Sequence, residues 1–195
     1  MAKIVLISGF DPFLGGAGNN STVIGEKIER RFQEQEIKII FCPLRTVYFK
    51  ASEALKDCIN AQTEKIDFVI SLGEAFCRDV KFETRAVNFM KDHGGDNDGV
   101  SYSAEVIDSS SPEYLPMTIN LSSVRSKLPR KMRKYTKISK DAGTFVCNNT
   151  AYLMTRDLDI PYAFIHVPAH NCSRSNYLVE RSVNILEKTI QELFN

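Results

Sequence analysis

Asp141-Ala142-Gly143-Thr144-Phe145-Val146-Cys147-Asn148-Asn149-Thr150 is where the chain carries its clearest chemistry, because a turn of small residues delivers one cysteine to the start of a helix. A thiol in a first helical turn faces unpaired backbone N–H groups and the positive end of the helix dipole, both of which favour the thiolate. Cys147 is therefore the candidate nucleophile. A cysteine alone is more often a small buried hydrophobe. The second element is His166, at the end of the apolar run Ala163-Phe164-Ile165-His166-Val167-Pro168, where an imidazole would serve a nearby thiol as base.

The elements that must position these two groups follow from hydrophobic periodicity. Ile4 to Ser8 and Phe68 to Leu72 are short unbroken apolar runs, the pattern of strands covered on both faces; Ile37 to Cys42 is a further strand. Between them, Ser21 caps a helix with Val23, Ile24, Ile28 and Phe32 near one face, and Phe49 to Ile59 has helical spacing. Val80 to Phe89 alternates as one strand, and Thr118 to Leu128 reads as a helix ended by Pro129. Lys134 to Ser139 reads as a strand, Cys147 to Thr155 as a helix, Tyr162 to Val167 as a strand and Ser175 to Phe194 as a closing helix. Strands alternating with helices give an α/β class with a largely parallel sheet. At 195 residues one domain over 1–195 is expected.

Composition excludes several functions. Apolar residues at 43% and charged residues at 25% are ordinary for a globular protein, and no apolar run reaches membrane-spanning length. The run after Lys3 is too short for a signal peptide and lacks a cleavage pattern. A net charge of +1 gives no field to draw nucleic acid or an anionic membrane, and the basic cluster from Arg125 to Lys140 reads as a solvated face or hairpin. The cysteines Cys42, Cys58, Cys77, Cys147 and Cys172 are odd in number and without a repeating spacing, which argues against a disulfide framework and a C-x-x-C zinc site. Free thiols in a reducing compartment, the cytoplasm, are expected.

The loops leave alternatives open. Gly9-Phe10-Asp11-Pro12-Phe13 begins a glycine-rich loop that meets neither the Walker nor the G-x-G-x-x-G pattern. Phe10 and Phe13 are either walls of an apolar pocket or core residues. Glu83 lies on the face opposite Phe82, and the local pattern alone reads it as an exposed strand carboxylate. Residues 91 to 115 are a functional lid or a poorly ordered stretch, with a turn-rich loop favoured over a metal site; Asp92, His93, Asp96 and Asp98 fit neither the EF-hand nor the zinc spacing, nor do His170 and Cys172 make a site.

Four segments taken together, Gly9-Phe10-Asp11-Pro12-Phe13, Phe82 to Asn88, Asp141 to Asn148 and Phe164 to Pro168, resemble pyroglutamyl peptidase I in the same order along nearly the whole chain. The resemblance implies a three-layer α/β/α sandwich around a mixed, largely parallel twisted sheet. It also implies a cysteine exopeptidase that removes N-terminal pyroglutamyl residues without metal or other cofactor. Carried over, Cys147 is nucleophile, His166 base, and Glu83 the carboxylate orienting that histidine, against its local reading. Arg78 matches an arginine placed near the oxyanion, and Asn19 an asparagine near the substrate ring. The resemblance further implies a homo-oligomer, dimer or tetramer. The chain departs from the family at Leu14 and Asn20, where glycine and proline are usual, at Glu74, where glutamine is common, and at Ala169-His170-Asn171-Cys172. These departures motivate two rival readings: a binding protein that has lost catalysis, and an amidase for another cyclic amide.

Overall fold

The computed structural model describes residues 3–13, 15–75, 79–92, 94–173 and 175–195. Its centre is a six-stranded sheet in the order β2-β1-β3-β8-β4-β7. The strands are β1 (Lys3–Phe10), β2 (Ile37–Leu44), β3 (Phe68–Ala75), β4 (Val80–Glu83), β7 (Thr136–Ser139) and β8 (Tyr162–Pro168). Every pairing is parallel except β4 with β8, which is antiparallel. The two remaining strands, β5 (Arg85–Val87) and β6 (Tyr114–Pro116), form a separate antiparallel ribbon.

Helices cover both faces. On one lie α1 (Asn20–Arg31), α3 (Leu121–Lys127) and α6 (Ser175–Leu193), whose Ile24, Ile28, Leu121, Val183 and Leu186 join Val5, Ile7, Phe82 and Ile165 in one apolar core. On the other lie α2 (Lys50–Asn60) and α5 (Val146–Asp157), whose Leu55, Ala151, Tyr152 and Met154 pack on Ile4, Leu6, Val69, Tyr162 and Phe164. Successive strand residues alternate between these cores, so burial is complete along β8, from Tyr162 to Pro168. That is why β1 and β8 read as unbroken apolar runs.

Several boundaries differ from expectation. The cap of α1 is Asn19, whose side chain accepts the N–H of Ser21, while Ser21 sits inside the helix with its hydroxyl on Asn19 and on the Phe10 N–H. The alternating run from Val80 breaks at Thr84, whose N–H goes to the Ser139 carbonyl, and the chain then leaves the main sheet for the ribbon. The basic stretch is no hairpin. It folds as the end of α3, the single-turn α4 (Arg130–Arg133) and the edge strand β7. Segment 91–115 is built from Asp-centred turns anchored to the β2–α2 connection: Asp96 accepts the N–H groups of Tyr48, Asp98 and Val100, Asp92 those of Gly95 and Tyr102, and Asp98 pairs with Arg45 and Lys50. His93 lies outside the described residues.

The expectation of free thiols throughout is corrected. Cys42 on β2 and Cys58 on α2 form a disulfide, with Cα atoms 6.4 Å apart, inside the range a disulfide spans. The strand and the helix that packs on it bring together residues whose spacing in sequence gave no hint. Cys147 is a free thiol, and Cys77 is outside the described residues.

Candidate active site

The turn before α5 forms because Gly143 takes φ 78°, a left-handed conformation glycine adopts without a Cβ penalty, and its N–H is held by the Asp141 side chain. Phe145 is the helix cap but offers no side-chain acceptor, so the first N–H groups of α5 stay open beside Cys147. Asn148 pins this end of the helix: its amide accepts the Val87 N–H and donates to the Val87 and Phe89 carbonyls. Asn149 does the same for α2, accepting the N–H of Phe49, a residue held at φ 61°. Both asparagines are buried.

Cys147 lies over β3. A Cβ built on Gly73 would stand 2.9 Å from its sulfur and 2.8 Å from the Phe164 ring, so only the missing side chain lets the helix come down this far. Gly73 is the register partner of His166 on β8, which places the imidazole one strand spacing to the side. The next strand over, β4, brings Glu83. His166 Nδ1 lies 2.9 Å from Glu83 Oε1, with Glu83 fully buried and His166 6% exposed. A carboxylate accepts only, so in this contact Nδ1 is the donor and Nε2 is the ring nitrogen left for the cavity. The reading of Glu83 as an exposed strand carboxylate is thereby overturned. Its other oxygen, Oε2, is buried with no hydrogen-bond partner among the described residues.

The sulfur's state departs from the helix-dipole expectation. Burial first, then the negative charges of Glu74 and Glu83, push the Cys147 thiol up to about 12 from an ordinary 9.0. Its own N–H acts in the opposite sense and loses. The resting group is the thiol. Such a site generates the nucleophile by passing the proton to a base during attack.

Cys147 and His166 open into a cavity of about 460 Å³. Phe10, Phe13 and Phe145 supply its aromatic walls, with Phe13 and Phe145 rings 5.6 Å apart. The two readings of the phenylalanines thus meet: Phe10 is 1% exposed and belongs to the core, yet both residues line the cavity. Asn19 also lines it, with Oδ1 spent on the α1 cap and Nδ2 donating to the Asp11 carbonyl, which leaves one amide hydrogen. Arg78 lies outside the described residues, as does Leu14.

Two departures turn out to be one feature. The Glu74 carboxylate, 5% exposed, accepts the backbone N–H of His170, and its oxygens lie 3.0 and 3.2 Å from His170 Nδ1. The altered segment after Pro168 therefore answers the altered residue on β3. Asn20 is a third: its amide donates to the Pro168 carbonyl and to Ser175, tying α1 to the end of β8. Sequence reasoning missed Gly73, Asn148 and Lys81, which also lines the cavity. For Gly73 the only signal was a glycine closing a buried strand.

Known proteins place the chain in context. A family model described as pyroglutamyl peptidase matches residues 3–174. A pyrrolidone-carboxylate peptidase of Fusobacterium nucleatum is 30% identical over 172 residues, covering 85% of this chain and 78% of its own. One of Bacillus thuringiensis is 29% identical over 189 residues, covering 94% and 86%. Among solved structures, pyroglutamyl peptidase I of Bacillus amyloliquefaciens superposes with a TM-score of 0.83 at 22% identity over 96% of this chain and 95% of that one. The pyrrolidone carboxyl peptidase of Fervidobacterium islandicum gives 0.82 at 23% over 98% of each. At those identities the two structures speak to the fold, and it is the same α/β fold.

Proposed function

The chain belongs to the pyroglutamyl peptidase family, and from that premise we propose that it is a cysteine exopeptidase cleaving the amide bond after an N-terminal pyroglutamyl residue, with Cys147, His166 and Glu83 as its catalytic groups. The observation that carries the reading is the buried 2.9 Å contact of Glu83 with His166, on the strand beside the one Cys147 covers.

The lactam ring enters between Phe10 and Phe13, a neutral, flat group suited to apolar walls, with the free Asn19 hydrogen directed to its carbonyl. As the Cys147 sulfur bonds to the scissile carbonyl carbon, its proton passes to His166 Nε2. The oxygen that becomes negative is met by the open N–H groups of the first turn of α5, and Arg78, which matches a family arginine, is proposed to join them. His166 returns the proton to the leaving amine as the C–N bond breaks, leaving a thioester on Cys147. Water, deprotonated by His166, then attacks the thioester and restores the thiol. Glu83 keeps Nδ1 protonated throughout and offsets the charge of the imidazolium. No step requires a metal or cofactor.

Residues 1–195 act as one peptidase domain in this reading, with pyroglutamyl peptides as substrates and a dimer or tetramer as the assembly, which light scattering measures. No described helix is long and apolar enough to cross a membrane. A cytoplasmic location is part of the same reading, and the Cys42–Cys58 disulfide weighs against it; alkylation at the moment of cell lysis, followed by peptide mapping, decides between them. The experiment for the activity is amine release from a pyroglutamyl amide beside a prolyl amide, by the protein and by Cys147→Ala. Release from the first alone, abolished by the substitution, is the expected result. Release from neither, by folded reduced protein, would favour a binding protein.

A further inference from the structure

Besides the Cys147 thiol, five charged or titratable side chains line the cavity or border it, and four of them are already engaged. Glu83 and His166 hold each other, Glu74 is bound by His170, and Asp141 accepts the Gly143 N–H. The fifth is Lys81. It is half-buried, lines the cavity, and enters none of the ion pairs among the described residues. A partly desolvated ammonium with no ion-pair partner is unfavourable by itself. It becomes favourable when a ligand supplies the anion.

Its place says which part of a ligand that is. Lys81 on β4 is the register partner of His166 on β8 in the one antiparallel pairing of the sheet. Residues directly opposite in such a pair share a face, with Cβ atoms about 4.5–5.5 Å apart. His166 is the group that must reach the leaving amine, so the side chain next to it is the one assigned to the leaving residue, with the lactam assigned to Phe10, Phe13 and Asn19. Any carboxylate on that residue, whether its own α-carboxylate in a dipeptide or an aspartyl or glutamyl side chain, is separated from the amine by only one to three carbon atoms.

Resting on the peptidase reading above, we propose that Lys81 is a specificity-determining residue that selects pyroglutamyl substrates bearing a carboxylate on the residue immediately after the scissile bond. The bound anion pairs with an ammonium that is only half-buried, so water still reaches the pair and a preference of about fivefold is expected. The carboxylate must lie on the first leaving residue, since a longer peptide with a neutral residue there carries its anion out of reach.

The test measures kcat/KM for two matched pairs. Pyroglutamyl-alanine is compared with its C-terminal amide, which isolates the α-carboxylate. Pyroglutamyl-aspartyl amide is compared with pyroglutamyl-asparaginyl amide, which isolates the side chain. A preference for the anionic member of at least one pair, reduced by added salt, supports the assignment and names the source of the carboxylate. In Lys81→Gln that ratio should fall to about one, and in Lys81→Glu it should invert. Because the readout is a ratio within one protein, a loss of activity common to both substrates cancels. Turnover by the unaltered protein with ratios near one, or a ratio unchanged in Lys81→Gln, overturns the role of Lys81 and leaves the peptidase standing. No turnover of any of the four peptides overturns both.

Discussion

Gly73→Ala puts a methyl group in place of one hydrogen beneath the nucleophile, and its consequences can be worked out from the geometry. The new Cβ would meet the Cys147 sulfur at 2.9 Å and two atoms of the Phe164 ring at 2.8 Å. Comfortable contacts between such atoms are about 3.5–4.0 Å, so the neighbours must give way by roughly 0.6–1.2 Å. Neither can do so freely: Phe164 is fully buried in the core, and α5 is pinned by Asn148 and Asn149. Overpacking of this kind costs about 1–3 kcal/mol. A displacement near 1 Å at a reacting atom lowers rate by about a hundredfold. The assay is kcat/KM on a pyroglutamyl amide together with the melting temperature, with Gly73→Ser as a second, larger substitution. A Gly73→Ala protein within threefold of the original in kcat/KM, melting at the same temperature, would refute the placement of the sulfur over β3.

Three further outcomes follow from the same structure. Glu83→Gln keeps the volume but removes the charge that holds the His166 tautomer, so kcat should fall by about 10²–10⁴ while KM changes little; a fall under tenfold would contradict the role given to Glu83. The Cys42–Cys58 bridge closes a loop of 16 residues, and its loss in Cys42→Ala/Cys58→Ala should cost about 3 kcal/mol, read as a melting temperature several degrees lower. Thiol titration of the native protein that finds Cys42 and Cys58 both free would contradict the pairing. For Cys147, whose proton is held more tightly in the folded chain, the unfolded chain releases that proton first as pH rises past about 9. The associated stability is complete below pH 9 and declines towards pH 12, by up to about 1 kcal/mol per pH unit after allowing for the thiol's partial exposure. Denaturant titrations of the protein and of Cys147→Ala should therefore diverge in slope only above pH 9, and parallel curves would contradict the raised thiol.

The fold was legible because its signals are local. Unbroken runs such as Ile4 to Ser8 and Tyr162 to Val167 are strands covered on both faces, and the periodic apolar positions of α1, α2 and α6 are their covering helices. Glu83 shows where local reading stops. Period-two alternation put it opposite Phe82, which is correct, but alternation does not tell which face is covered, and here both are. The break at Thr84 was invisible for a related reason, since a strand in the main sheet and a strand in the ribbon alternate alike. The helix start at Cys147 was legible from Gly143 and the small residues around it, whereas its raised thiol was not. Glu74 and Glu83 reach the sulfur from two other strands, and the dipole argument counts only its own helix. The disulfide and the Glu74–His170 pair likewise join segments whose proximity exists only after folding.

The most direct test of the central claim, that Cys147 is acylated during turnover, is intact-mass and peptide-mapping analysis of protein quenched with acid while it hydrolyses a pyroglutamyl amide. The expected result is a mass gain of one pyroglutamyl acyl group, confined to the peptide containing Cys147 and absent from Cys147→Ala and from protein alkylated beforehand. Amine release that continues in Cys147→Ala, or an acyl group found on another residue, would contradict it.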